Sequence, residues 1–170
     1  LSFIGRAAIF DSLKYHDFRW IFLGSFASFM GMNMQMITQA WLVVELRDDS
    51  PLALSLSIVS ITAPMTVVSL LGGALADRVP RRRLVILSQA GNAVMILLLA
   101  TLDATGIIVF WQVLAIGLIN GSLMAFNMPS RQAMISDIVP EDRLMNAISL
   151  NNSSMNMTRV LGPAMAGFLI

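Results

Sequence analysis

The chain has 170 residues, of which 56% are hydrophobic and only 12% charged, and its formal net charge is +1. Because soluble domains are about 25% charged, this composition excludes an ordinary soluble globular domain, and the near-neutral charge favours no nucleic-acid partner. The chain has no cysteine and one histidine, which excludes thiolate metal sites and histidine clusters. We therefore expect no cofactor, no metal and no enzymatic activity.

Five long segments with almost no charge follow one another along the chain, and each is long enough to cross a hydrocarbon core, which takes about 20 apolar residues in a helix. None of them alternates with period two, so strands and a barrel are disfavoured. The segments predict transmembrane helices at about residues 20–44, 52–75, 84–102, 107–127 and 144–170. Residues 1–19 are predicted to form a cytoplasmic N-terminal segment, and its apolar start is compatible with an interfacial helix.

The polar links between these helices indicate their orientation. They are residues 46–51, 77–83, 103–106 and 128–143, and breaks are expected in the last link at Pro129 and Pro140. Nine of the 11 lysines and arginines precede the first helix or lie in the second and fourth links. Since lysine and arginine accumulate on the cytoplasmic side of a membrane, we expect the N-terminus and these two links to face the cytoplasm, with the helices in a bacterial inner membrane.

The link between helices two and three carries the most specific motif, GGALADRVPRRRL at residues 72–84. It resembles the signature of the major facilitator superfamily of transporters, although Pro80 stands where the family usually has glycine. The matching residues include Gly73, Asp77, Arg78, Arg81 and Arg82. In that family the motif is a conformational latch, whose aspartate pairs with basic residues and with the positive end of a helix in the other half of the transporter. A positive-inside anchor is the alternative, but an anchor requires neither Asp77 nor the glycine before it.

A second resemblance lies in the fifth helix, in RVLGPAMAGFL at residues 159–169. Gly162, Pro163 and Gly167 are similar to the Gly-Pro motif of helix five in exporters of the superfamily, and ordinary membrane-helix packing is the alternative. With residues 39–56 and 128–152, the chain resembles the enterobactin-exporter-like branch, the transmembrane secretion effectors. One feature of many proton-coupled exporters is missing, because Gly117 stands where they carry an arginine in helix four.

Polar residues of the fifth helix are spaced by three or four positions, which keeps them on one arc of the helix. They are Asn146, Ser149, Asn152, Asn156 and Arg159. A charge within a membrane costs at least about 2.5 kcal/mol, so Arg159 is a candidate for substrate binding or coupling. The alternative is a structural bond to carbonyl groups or to an acid on another helix. Asn152 and Asn156 on the same arc are further cavity candidates. In the family that the chain resembles, helices one and four line the central cavity, which adds Gln35, Gln39 and Asn120 as candidates. Interhelical hydrogen bonding is the alternative for Gln35 and Gln39.

The sequence as a whole predicts an all-α membrane protein with the major facilitator fold, in which residues 20–170 form helices one to five of the six-helix N-terminal half and stop before helix six. The resemblance implies a secondary active transporter that works by alternating access, and it favours a proton-coupled exporter of drug-like or siderophore-like molecules. The expected partners are the lipid bilayer, a small-molecule substrate, protons and the C-terminal half of the same protein. An importer or facilitator, or a non-transporting receptor or assembly protein on the same scaffold, is the alternative function.

Overall fold

The computed structural model describes residues 16–48, 50–76 and 79–169, and within them the chain forms five α-helices and no strand. In chain order these are α1 (His16–Leu46), α2 (Pro51–Ala76), α3 (Arg81–Ala104), α4 (Phe110–Ile138) and α5 (Glu141–Leu169). The predicted all-α fold with five successive helices is confirmed.

The turn after α3 shows how the sequence ends a helix. Gly106 has a φ of 68°, a left-handed conformation that glycine adopts without the steric cost of a Cβ atom. Its N–H donates to the carbonyl of Asp103 at 2.9 Å, and the N–H of Ile107 donates to the carbonyl of Leu102 at 3.3 Å. This pair of bonds is a Schellman motif, which satisfies carbonyl groups that the helix itself leaves without donors.

Helix α4 is longer than the sequence suggested. The predicted helix ended near residue 127 with a break at Pro129, but α4 continues through Pro129 to Ile138. An internal proline removes one backbone hydrogen bond, and in packed membrane helices the surrounding groups compensate for that loss. The N–H of Val139 still donates to the carbonyl of Ile135 at 3.1 Å, so only a short link around Pro140 separates α4 from α5.

The described residues divide into two compact units, each with its own apolar core. The terminal unit comprises residues 16–37 and 132–169, and the central unit comprises residues 38–48, 50–76 and 79–131. The core of the terminal unit is formed by Phe18, Ile135, Val139, Ala147 and Leu150. The core of the central unit is formed by Leu42, Val43, Ala53, Leu99, Phe110, Val113 and Ile116.

Helices α2 and α3 expose many large apolar side chains, as a lipid environment requires. Three segments of the described chain are long and apolar enough to cross a membrane: Pro51–Leu70, Arg81–Ala104 and Phe110–Ile138. Within the central unit, Leu70 is 80% exposed and Leu87 is 65% exposed. Contiguous apolar surface of this kind is rare on soluble monomers and is satisfied by lipid tails, so the described faces of α2 and α3 fit a bilayer.

Candidate functional site

Helix α5 has one packed face and one exposed polar face. Its buried residues recur every three or four positions and are Ala147, Leu150, Ser154, Thr158, Gly162 and Ala166. On the opposite side of the helix, Asn152, Asn156 and Arg159 are exposed. The three side chains therefore share a face, and this face points away from the core of the terminal unit.

Arg159 is the cation of this face. Its guanidinium has no hydrogen-bond or ion-pair partner among the residues that the structure describes. At 1.5 Å per residue, Arg159 lies about 27 Å from the start of α5 and about 15 Å before Leu169. The acids of the first turn, Glu141 and Asp142, are therefore too distant to pair with it. Neither acid of the first turn can therefore supply a counter-charge for Arg159.

The Gly-Pro sequence after Arg159 has two separate physical consequences. A Cβ atom at Gly162 would lie 2.6 Å from the Cβ of Asn33, so glycine is what allows α5 to approach α1 at this point. Pro163 lies inside α5 and has no N–H, so the carbonyl of Arg159 lacks its usual intrahelical donor. A Cβ atom at Gly167 would meet nothing within 4 Å, and the exporter role of the three residues stays a prediction.

The terminal unit contains an open groove of about 960 Å³ between α1 and α5. Its α1 wall is aromatic and aliphatic, formed by Phe22, Leu23 and Phe26. Its α5 wall includes the polar side chains Asn146 and Ser149. The groove is large enough for a small molecule, but Arg159, Asn152 and Asn156 are not among the residues that line it.

Two of the predicted cavity residues are buried within the central unit. Gln39 is 2% exposed and Asn120 is 3% exposed. The Nε2 of Gln39 donates to Ser57 Oγ at 3.5 Å and to the carbonyl of Val113 at 3.4 Å, both long for hydrogen bonds. The Oε1 of Gln39 and both amide atoms of Asn120 have no partner within the described chain. Both amides thus lie in the packed interior in this conformation, whereas Gln35 in the terminal unit is half-buried.

The same region contains a close contact between α2 and α4. A Cβ atom at Gly121 would clash with the backbone carbonyl oxygen of Ile61, and one at Gly117 would clash with Ser60 Oγ. Gly117 and Gly121 are four residues apart, the small-residue spacing that lets membrane helices pack closely. An arginine, which many proton-coupled exporters carry at the position of Gly117, therefore has no room here.

A buried network of hydrogen bonds joins α3 and α4, and the sequence did not predict it. The Nη2 of Arg131 donates to Oδ1 of Asn127 at 3.1 Å, and Nδ2 of Asn127 donates to Ser88 Oγ at 2.8 Å. Ser88 in turn donates to the carbonyl of Leu84 at 2.7 Å, and Arg131 is only 3% exposed. The sequence identified Arg131 only as one of the positive charges that indicate how the helices are oriented in the membrane. Its spacing of four residues from Asn127 was the signal that could have identified a shared face.

The structure describes part of the predicted latch. Gly73 lies in α2, and the exposed Arg81 and Arg82 lie in the first turn of α3. Asp77 and Arg78 lie outside the described residues. Positive side chains at a helix N-terminus are unfavourable by a few tenths of a kcal/mol each, and the first turn of α3 contains no acid. In residues 16–48, 50–76 and 79–169, no group of three metal-ligating side chains is placed to hold a metal ion.

Comparison with known proteins places the chain in a family. A family model described as transmembrane secretion effector matches residues 7–170. An uncharacterized MFS-type transporter, YfiS of Bacillus subtilis (strain 168), is 27% identical over 121 residues, which are 71% of this chain and 28% of that protein. The staphyloferrin A transporter of Staphylococcus aureus (strain NCTC 8325 / PS 47) is 26% identical over 155 residues, which are 89% of this chain and 38% of that protein. No solved structure matches the chain.

The chain thus spans roughly a third of the length of the curated relatives it matches. The match to the family covers almost the whole of the chain, however, and agrees with the five successive α-helices of the described residues and with the loop motif at residues 72–84. The chain belongs to the transmembrane secretion effectors, a family of major facilitator transporters.

Proposed function

We propose that the whole protein is a proton-coupled exporter of small molecules, an antiporter that works by alternating access in the bacterial cytoplasmic membrane. The present chain supplies helices one to five of its N-terminal half. A siderophore-like substrate is supported by the relative named staphyloferrin A transporter; a drug-like one follows from the resemblance to exporters.

The exposed polar face of α5 carries this proposal. Asn152, Asn156 and Arg159 lie opposite the packed face of their helix, and a charged side chain in a membrane segment is too costly to face lipid tails. This face must therefore border water, a polar solute or the other half of the transporter. Each of these possibilities fits a helix beside a substrate pathway near the middle of the membrane.

The groove of the terminal unit has a different proposed role. Its α1 wall is made of Phe22, Leu23 and Phe26, and apolar walls of this kind pack against another helix. Each half of a major facilitator transporter has six helices, so we assign the groove to helix six. The solute pathway is then lined by Arg159 and the two asparagines, which do not line the groove.

The proposed latch is the loop between α2 and α3. Arg81, Arg82 and Arg83 begin α3 next to the positive end of its helix dipole. An acid beside them offsets this repulsion, and Asp77 is the nearest acid in the sequence. We propose that Asp77 and the arginines contact the C-terminal half of the transporter in one of its two conformations, open to the inside or to the outside. In the other conformation these contacts are broken. The bias of nine of the 11 lysines and arginines toward the segment before the first predicted helix and the second and fourth predicted links supports an N-terminus inside the cell.

Proton coupling is proposed to depend on an acid outside this chain. The acids of the described helices lie near helix ends, for example Glu45 in α1 and Asp103 in α3. A proton carrier has to change its protonation state inside the solute pathway, and neither residue lies deep enough in its helix to do so.

Everted membrane vesicles test this function directly. Vesicles containing the full-length protein are energised to acidify their lumen and loaded with a luminal pH probe, and siderophores and drug-like compounds are then added one at a time. We expect at least one compound to accumulate and to release luminal protons, with no response in vesicles lacking the protein. Accumulation without proton release would overturn the antiport mechanism. A lack of transport for every compound in either vesicle orientation would overturn the transporter proposal in favour of a receptor or assembly protein.

A further inference from the structure

The exposed face of α5 is a cluster of hydrogen-bond donors with a single positive charge. Asn152, Asn156 and Arg159 are spaced by four and three residues, so they occupy neighbouring positions along one side of the helix. A guanidinium offers five N–H groups and each amide offers two. None of the three side chains has a hydrogen-bond partner among the described residues.

We infer that Arg159, together with the amides of Asn152 and Asn156, binds a carboxylate group of the transported solute. This inference rests on the proposed function, because it places the three residues in a solute pathway. It adds the chemical class of the substrate: a small molecule with a carboxylate group, recognised through a guanidinium–carboxylate pair.

The need for a counter-charge argues for an anion. A cation inside the membrane region is stable only when it faces water or an opposite charge. The acids of α5 are confined to its first turn, at Glu141 and Asp142, which is too far along the helix to reach Arg159. An anion that pairs with Arg159 therefore comes from a bound solute or from another part of the protein.

The balance of charge favours a carboxylate over a phosphate. Between Arg143 and the end of α5, Arg159 is the only lysine or arginine, so this face offers one positive charge. A phosphate monoester has a charge of about −1.5 to −2 at pH 7 and would retain an uncompensated negative charge. A carboxylate has one charge and a planar pair of oxygens that a guanidinium binds with two parallel hydrogen bonds.

The two asparagines favour a solute over an acidic side chain of the protein. A single protein carboxylate that pairs with Arg159 uses the guanidinium and leaves the amides of Asn152 and Asn156 without a role. A solute that lies along α5 uses all three side chains. Its carboxylate binds Arg159, and its remaining polar groups bind the amides.

A thermal-stability assay of the purified full-length protein tests the inference. The probes are benzoate, succinate and tricarballylate, each compared with its own methyl ester, because a ligand that binds the folded state raises Tm according to its affinity. We expect at least one acid, and none of the esters, to raise Tm. The Arg159→Gln variant should bind that acid about 10- to 100-fold more weakly, the loss typical of a hydrogen-bonded charge.

Two further variants make the result specific. Arg143→Gln removes an arginine at the start of the same helix, where it pairs with Asp142 at 3.2 Å, and should leave the affinity unchanged. Asn156→Ala removes a neutral donor and should weaken binding by about 2- to 10-fold. The ligand-free Tm of Arg159→Gln should equal that of the wild type.

Each contrary result has a definite meaning. Stabilisation by the esters, no stabilisation by any acid, or an unchanged affinity in Arg159→Gln overturns the inference. So does a marked drop in the ligand-free Tm of Arg159→Gln without loss of affinity, because this would identify an ion pair within the protein. Everted vesicles separate this test from that of the proposed function. Transport of neutral compounds alone contradicts only the carboxylate site. Acid binding through Arg159 without transport of any compound, in either vesicle orientation, contradicts the transporter.

Discussion

Replacing Gly121 with alanine tests the close contact between α2 and α4 in the central unit. The new Cβ atom would clash with the carbonyl oxygen of Ile61, would lie 2.9 Å from the carbonyl carbon of Ile61, and would lie 3.0 Å from Cγ of Pro64. The two Ile61 atoms belong to the backbone of α2 and cannot rotate away. Restoring an ordinary contact of about 3.4 Å to the carbonyl carbon requires α2 and α4 to separate by about 0.5 Å or more.

The expected energy follows from two opposing effects. Overpacking a well-packed interior costs about 1–3 kcal/mol, and the clash with backbone atoms puts this position at the upper end. Alanine is favoured over glycine in a helix by about 1 kcal/mol. The net destabilisation should therefore be about 1–2 kcal/mol, and at about 2–4 °C per kcal/mol the Tm should fall by about 2–8 °C.

Gly24 provides the matched control. A Cβ atom at Gly24 meets nothing within 4 Å, so Gly24→Ala adds the same methyl group to a helix without a clash and should keep or raise Tm. Both variants are purified at full length, and their unfolding is followed by the loss of the monodisperse peak in size-exclusion chromatography after heating. If Gly121→Ala unfolds at the same temperature as Gly24→Ala, the proposed α2–α4 contact is wrong.

The remaining predictions concern the latch and the two buried polar groups. Asp77→Asn should reduce transport at least tenfold while the amount of protein in the membrane stays near normal. The control Asp103→Asn should leave both quantities unchanged. Equal transport by the two variants would contradict the latch hypothesis. Asn127→Ala should lower the free energy of unfolding by about 1–3 kcal/mol, because it leaves Ser88 and buried Arg131 without the amide that joins them; a Tm equal to the wild type would show that this chain of bonds contributes nothing. Asn120→Leu should raise Tm because it removes two buried amide atoms that have no partner among the described residues. A lower Tm would reveal a partner or a bound water.

Much of the architecture was predictable from local sequence. A helix satisfies its own backbone hydrogen bonds, so a long apolar segment specifies a membrane helix without reference to the rest of the fold. Turn residues are equally local, and Gly106 ends α3 through bonds to residues three to five positions earlier. The end of α4 was not predictable in this way. Whether a helix continues through Pro129 depends on what surrounds the proline, and the sequence alone does not reveal these neighbours.

For the polar residues of α5, too, one property was predictable from the sequence and another was not. Spacing alone indicated that Asn152, Asn156 and Arg159 share one arc of α5, because helical periodicity fixes their relative directions. It did not indicate which way that arc points. Tertiary packing decided this, by burying the opposite face of α5 and leaving the guanidinium exposed.

Gln39, Asn120 and Arg131 show what only the tertiary structure decided. All three are polar residues on apolar helices, and nothing in their own segments distinguishes an interior position from a cavity wall. Their burial depends on where neighbouring helices approach: Gly117 brings α4 close enough to α2 and α1 for a Cβ atom there to meet both Ser60 and Gln39. Helical period and hydropathy are properties of one segment, and therefore the sequence by itself determined the helices and their faces. Burial and hydrogen-bond partners are properties of pairs of segments, and only the packed fold could assign them.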